Sequence, residues 1–269
     1  MRENVPADYI EKNRDSWNKR TECHFQSPFY NMGGFLRGEN SLQNIEMSLL
    51  GNIKNKSILH LQCHFGQDTL SLVRMGANAT GVDLSDVAIE KAKKVGNDLG
   101  LNAEFICCNI YDLPNHLSKT FDIVFSSYGV IGWLPDLAKW GKLVSRYLKP
   151  GGKLIFVEFH PFIWMFDSEF KKIEYSYFNV GAIEETCNGT YADPQAKITH
   201  ESVSWNHSFE EVISSLIQNG LSINNIQEYD YSPYNCLKNL KEDEKGKFRI
   251  IGMKKMIPMI YSIVAVKNL

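Results

Sequence analysis

Apolar runs and amphipathic stretches alternate with a steady beat between residues 57 and 158. A short apolar run at 57–62 is followed by a helical pattern at 67–75 that stops at Gly76. Residues 78–83 repeat the strand pattern, and 86–99 repeat the helical one up to Gly100. A third strand falls at 103–108. The segment Phe121-Asp-Ile-Val-Phe-Ser126 is a nearly continuous apolar run, as expected of a strand covered on both faces. A helix at 136–148 meets Lys149-Pro-Gly-Gly152, a stop and turn signal, before a fifth strand at 153–158. Strands and helices in this order predict an α/β fold with a doubly wound, mostly parallel sheet.

The flanks differ. Residues 7–20 suit a short amphipathic helix, with Tyr9 or Ile10, Asn13, Trp17 and Arg20 about one turn apart. An aromatic loop with Phe25, Phe29, Tyr30 and Phe35 follows, broken by Gly33, Gly34 and Gly38. Leu42, Ile45, Leu49 and Leu50 give residues 41–50 a helical apolar face that ends at Gly51. Beyond His160 the pattern shortens. Residues 160–206 alternate over brief runs, notably 173–178 and 198–205, which predicts short antiparallel strands laid over the sheet's carboxyl edge. Ser208-Phe-Glu-Glu211 reads as a capping box opening a helix through Val212, Ile213, Leu216 and Ile217 to Gly220. Strands at 221–229 and 259–266 then form a terminal hairpin. Four segments are expected: an N-terminal helical lid (1–50), a core (51–159), a small β-rich insertion or cap (160–206) and the completion of the core (207–269).

Composition narrows the partners. A chain of 269 residues with 43% hydrophobic content can bury one sizeable core and a cap. A net charge of −2 gives no basic stripe for nucleic acid, and helically spaced lysines such as Lys91–Lys94 read as a solvated face. The six cysteines form no C-x-x-C pair and read as reduced thiols. No leader-like start and no apolar stretch of about 18 residues is present, so a soluble cytoplasmic protein without membrane contact is expected.

The most telling segment is Ser57-Ile-Leu-His-Leu-Gln-Cys-His-Phe-Gly-Gln-Asp-Thr69, followed by Gly81-Val-Asp-Leu-Ser85. It resembles the cofactor-binding core of class I S-adenosylmethionine (SAM) dependent methyltransferases, over roughly residues 55–160 and more loosely over 207–267. The resemblance implies a seven-stranded Rossmann-like methyltransferase fold with its last strand antiparallel. It aligns His60, Gln62, His64 and Gly66 with the family's acid-x-Gly-x-Gly-x-Gly turn, of which the last glycine alone remains. On this reading the turn cannot rely on positive φ at Gln62 and His64. The Gln62-Cys63-His64 turn then faces the cofactor's amino acid end, and His60 replaces the usual acid. Asp68 is placed for the helix dipole or the cofactor ammonium. Asp83 is placed for the ribose hydroxyls, and Leu84 for the adenine face. Asn109 and Ile110 fall where the family contacts adenine, with Asn109 replacing an acid. Ser127 and Tyr128 fall near the sulfonium. SAM is the expected cofactor and S-adenosylhomocysteine (SAH) its product.

His160, at the end of the fifth strand, is the candidate general base, with Glu158 to orient it and Tyr128 nearby. The alternative for His160 is a bond to a loop carbonyl. Aromatic residues such as Trp17, Trp133, Trp164 and Trp205 suggest an apolar chamber for a small-molecule acceptor, with the Trp17 helix as lid. His60 and His64 are four apart on a strand and turn, not on one helix face, so no metal site is expected. Two other readings stay open: a non-catalytic SAM-binding regulatory module, and a nicotinamide-dependent oxidoreductase, against which the missing G-x-G-x-x-G counts. The oligomeric expectation is a monomer or homodimer.

Overall fold

The computed structural model describes residues 5–269; the first four residues of the expected lid, on which the reading of no leader partly rests, lie outside the described residues. Three helices come first: α1 (Tyr9–Gln26), α2 (Met32–Leu36) and α3 (Asn44–Leu50). The expected aromatic loop is largely helical. α1 runs six residues past Arg20, and α2 opens at Asn31, whose side chain accepts from the Gly34 N–H at 3.1 Å.

The alternating core follows as β1 (Ser57–Leu61), α4 (Gln67–Arg74), β2 (Asn78–Asp83), α5 (Asp86–Asp98), β3 (Glu104–Cys107), β4 (Phe121–Ser127), α6 (Leu137–Tyr147) and β5 (Leu148–Phe159). Helix starts obey local chemistry: Ser85 Oγ accepts from Ala88 N at 3.0 Å, and Asp136 Oδ1 accepts from Lys139 N at 3.1 Å. The Lys149–Gly152 stretch is not a separate turn before the strand. Leu148 already pairs with Phe121, pairing resumes at Lys153 with Ile123, and the residues between bulge out of the ladder.

Next come β6 (Ile183–Asn188), β7 (Thr199–Ser204), α7 (Phe209–Ile217), β8 (Leu221–Tyr229), β9 (Leu240–Glu244), β10 (Lys247–Ile250) and β11 (Ile260–Lys267). The main sheet has seven strands in the order β3-β2-β1-β4-β5-β11-β8, parallel from β3 to β5, with β11 antiparallel to both neighbours. The doubly wound, mostly parallel fold read from the sequence is therefore present. Of the two expected insertion strands, 198–205 forms β7 and pairs with β6. Residues 173–178 form no strand and make one isolated bridge, Phe166 to Ile173. Between the two expected terminal strands lies an additional hairpin, β9–β10, with Arg249 held by Asp230 and Asp243.

The central strands are buried on both faces: Ile58, Leu59, Val124, Phe125, Leu154 and Phe156 have essentially no exposure. Side chains from α4, α5 and α6 fill both sides. Strand order reverses between β1 and β4, so a crevice opens at their carboxyl ends. α1 lies over that crevice and is clasped to the β6–β7 ribbon. Asn13 Nδ2 donates to Val203 O at 2.8 Å, and Val203 N donates to Asn13 Oδ1 at 2.9 Å.

Candidate active site

The floor of the crevice is the turn between β1 and α4. Gln62, His64 and Gly66 all have left-handed backbone, with φ of 56°, 50° and 71°. The expectation that glutamine and histidine exclude positive φ here is corrected. Each costs on the order of 1 kcal/mol in that region, and local bonds hold them there. Gln62 Nε2 donates to Val130 O at 2.7 Å, His64 N donates to Asp83 Oδ2 at 2.7 Å, and Gly66 N donates to Cys63 O at 2.9 Å. Gly66 is required on a second ground: a Cβ there would sit 2.6 Å from the Phe105 ring and 2.8 Å from Ala92 Cβ.

Asp83 closes the floor from the end of β2. Its Oδ1 accepts from Ser85 N at 2.9 Å while Oδ2 takes His64 N, so the carboxylate ties two strand ends together and keeps lone pairs for a ligand. Burial raises its pKa to about 6 against these backbone donors. Leu84, Asn109, Ile110 and Ser127 line the same crevice. Asn109 Oδ1 also accepts from Tyr111 N at 3.1 Å, which caps the 3-10 turn Ile110–Asn115. Asp68 accepts from Ser41 Oγ at 2.6 Å, and burial raises its pKa. His60 is spent in the core, sharing a 2.8 Å hydrogen bond with Thr69 Oγ1, with burial lowering its pKa to about 3. Two buried polar atoms of the floor, Gln62 Oε1 and His64 Nδ1, have no partner among the described residues.

At the ends of β4 and β5 the expected catalytic group separates. Glu158 is 2% exposed, and its carboxylate accepts from the N–H groups of Gly129, Val130, Ile131 and Phe159. It fixes the loop after β4 and does not orient His160. His160 does not line the crevice. Its Nε2 lies 2.9 Å from Glu228 on β8, its Nδ1 accepts from Phe162 N at 3.1 Å, and its ring stacks on Phe209. Both ring nitrogens are engaged on the far side of the strand, so the base assignment lacks the geometry it needs. Tyr128, at φ 48°, donates its hydroxyl to Glu46 Oε2 at 2.6 Å. Glu46 is fully buried and also accepts from Gln43 N at 2.9 Å; burial lifts its pKa to about 7.

The roof joins Trp17 and Trp133, expected as chamber aromatics, and Tyr30 to Arg20, His24 and Tyr191, whose part in the site was not expected. Trp17 packs edge-on against Trp133 and His64, with ring centroids 5.4 and 5.2 Å apart. Arg20 lies 5.0 Å from the Trp17 ring and 5.1 Å from that of Trp133. His24 Nδ1 is 2.9 Å from His64 Nε2, and burial lowers His24 to about pKa 3 and pushes His64 down as well, so the pair is neutral at pH 7. The Tyr30 and Tyr191 hydroxyls share a short hydrogen bond across the mouth. The available signal was helical spacing: Asn13, Trp17 and Arg20 recur on the stripe that should face the core, and two of the three are polar.

Floor and roof enclose a chamber of about 1310 Å³ lined by Gln62, His64, Asp83, Tyr128, Trp133 and Tyr191, among others. That exceeds the space one drug-sized ligand needs, and suits a nucleoside and a second small molecule side by side.

Residues 59–156 match the family model described as a methyltransferase domain. That stretch is similar to a methyltransferase domain. Over 104 residues it is 33% identical to the ubiquinone biosynthesis O-methyltransferase of Coxiella burnetii, covering 39% of this chain and 44% of that protein. Over 130 residues it is 32% identical to the demethylmenaquinone methyltransferase of Lactococcus lactis, covering 46% and 51%. The chain thus spans about half the length of these curated relatives. Among solved structures, the geranyl diphosphate C-methyltransferase of Streptomyces coelicolor superposes with a TM-score of 0.62 at 15% identity, over 98% of this chain and 100% of that one. A SAM-dependent methyltransferase from Clostridium acetobutylicum gives 0.59 at 16% identity, over 94% and 100%. These likenesses cover the whole fold, whereas the sequence matches concentrate on the methyltransferase domain. Most of the roof, Trp133 apart, and the β6–β7 ribbon lie outside residues 59–156. Among the described residues no helix is long and apolar enough to cross a membrane, and no cluster of three metal-ligating side chains occurs.

Proposed function

We propose that this protein is a SAM-dependent methyltransferase acting on a small molecule. The observation that carries the reading is the floor: a left-handed turn at Gln62, His64 and Gly66, fastened by Asp83, beneath a chamber with room for two ligands. The residues fit the cofactor. Gln62 Oε1 and His64 Nδ1 are buried polar atoms in need of partners, suited to the amino acid end. Asp83 retains acceptor capacity for ribose hydroxyls, and Leu84 and Ile110 offer an apolar slot for adenine. Bound SAM supplies an electrophilic methyl group.

The chain's own residues then position and exclude. Glu158 fixes the loop carrying Gly129–Ile131, against which an acceptor is oriented. Trp17 and Trp133 shut water from the floor. No assembled base stands at His160, so the protein's main contribution is alignment. This favours acceptors that are already nucleophilic, or that lose their proton to solvent.

Incubation of the protein with SAM and a panel of small phenols, amines and thiols, read by mass spectrometry, tests the function. Formation of SAH with one methyl gained by an acceptor is expected. Tight SAH binding with no methylated product across the panel would favour the non-catalytic module instead.

A further inference from the structure

Arg20 stands out in the roof. Its side chain is buried, at 8% exposure, and it lines the chamber. Among the described residues it has no carboxylate within ion-pair distance. Its hydrogen bonds go to the ring nitrogens of His200, both at 3.4 Å, and its guanidinium carbon lies over the rings of Trp17 and Trp133. The other buried arginine among the described residues, Arg249 at 4% exposure, is paired and holds Asp230, Asp243 and Glu244. Glu185 also faces the chamber, but its carboxylate takes the Tyr175 hydroxyl at 3.2 Å.

A guanidinium does not give up its proton in a protein. A buried, uncompensated charge is costly, and the cost falls away when an anion arrives. The two indoles, nearly perpendicular to each other, flank the guanidinium at 5.0 and 5.1 Å, and its N–H groups suit a planar bidentate anion. The side chains it touches come from the lid (Trp17), the loop after β4 (Trp133) and the β6–β7 ribbon (His200), while its charge also reaches His64 of the floor turn.

We propose that Arg20 is the anchor for a carboxylate on the methyl acceptor, making the acceptor class a small aromatic or amphiphilic acid. This rests on the reading of the chamber as a methyl-transfer site. The other source of the same chemistry is the cofactor's own methionine carboxylate, and the test separates the two.

With SAH present, benzoate, 4-hydroxybenzoate and cinnamate are titrated against their uncharged amides, by calorimetry and by quenching of Trp17 and Trp133 fluorescence. At least one acid is expected to bind about tenfold more tightly than its amide. Arg20→Gln is expected to abolish that preference, Arg20→Lys to retain part of it, and both to leave SAH affinity within about threefold. Thermal melting of the two variants without ligand checks that they fold; if Arg20→Gln does not, the partial loss in Arg20→Lys decides. The proposal is overturned if no acid outbinds its amide at about 10 mM. It is also overturned if the Arg20 variants weaken SAH as much as they weaken the acid, which would assign the guanidinium to the cofactor. Failure of SAH to bind the wild type would instead sink the function reading itself.

Discussion

The floor of the chamber is made of backbone, and its roof is made of side chains. On the floor, positive φ at Gln62, His64 and Gly66 and the paired N–H bonds to Asp83 fix the turn whatever the ligand. In the roof, Arg20 meets Trp17 through a ring contact and His200 through long hydrogen bonds, and Tyr191 packs on His24, contacts that can change without unmaking the fold. A surface built from backbone suits a ligand shared by many enzymes. One built from side chains of an N-terminal helix and an inserted ribbon suits a ligand particular to this chain. The segment matching the methyltransferase family, 59–156, contains the floor and excludes most of the roof.

The sharpest way to break that contrast is Gly66→Ala. A Cβ 2.6 Å from Phe105, at φ 71°, should cost roughly 3 kcal/mol or more in urea unfolding. A loss near zero would mean that the floor is not rigid. Glu46→Gln comes next. Glu46 has a folded pKa of about 7 against an ordinary 4.5, so its contribution to stability is fully present below about pH 4.5 and is lost as pH rises through 7. Wild-type stability should therefore fall by on the order of 2 to 3 kcal/mol across that window through this group. The variant should lack that component, and identical pH profiles would contradict the assignment.

Asn13→Ala removes both bonds of the clasp and leaves Val203 N–H and C=O unpaired, at about 2 kcal/mol. Amide exchange should quicken in α1 and β7 while SAH affinity holds. Weakened SAH binding would show that roof and floor are one unit. The smallest effect is expected from His160→Gln, which should leave SAH affinity within about twofold and cost about 1 kcal/mol of stability. A larger loss of methyl transfer than of stability would restore His160 to the site.

The same contrast governs how much could be read from sequence. The alternating core was legible because buried parallel strands are continuous apolar runs, and Asp83 because an acid at the end of the second strand has few other uses. The positive φ of Gln62 and His64 was not, because tertiary bonds to Val130 and Asp83 override intrinsic preference. His160 was misplaced through side-chain direction. Successive residues of β5 point to opposite faces, and past its end the chain turns His160 toward Glu228. The roof's pairings were illegible, beyond the expected Trp17 and Trp133, because its partners are far apart in sequence: Arg20 meets His200 across 180 residues and Asn13 meets Val203 across 190.

The central claim is that the backbone floor holds SAM and that Asp83 fastens it. Calorimetric titration of SAH into wild type and Asp83→Asn, side by side, tests this most directly. The account predicts one site in the wild type with a Kd of roughly 1–100 μM, and binding at least tenfold weaker in the variant. No heat at about 1 mM SAH, or equal affinity in the two proteins, would contradict it.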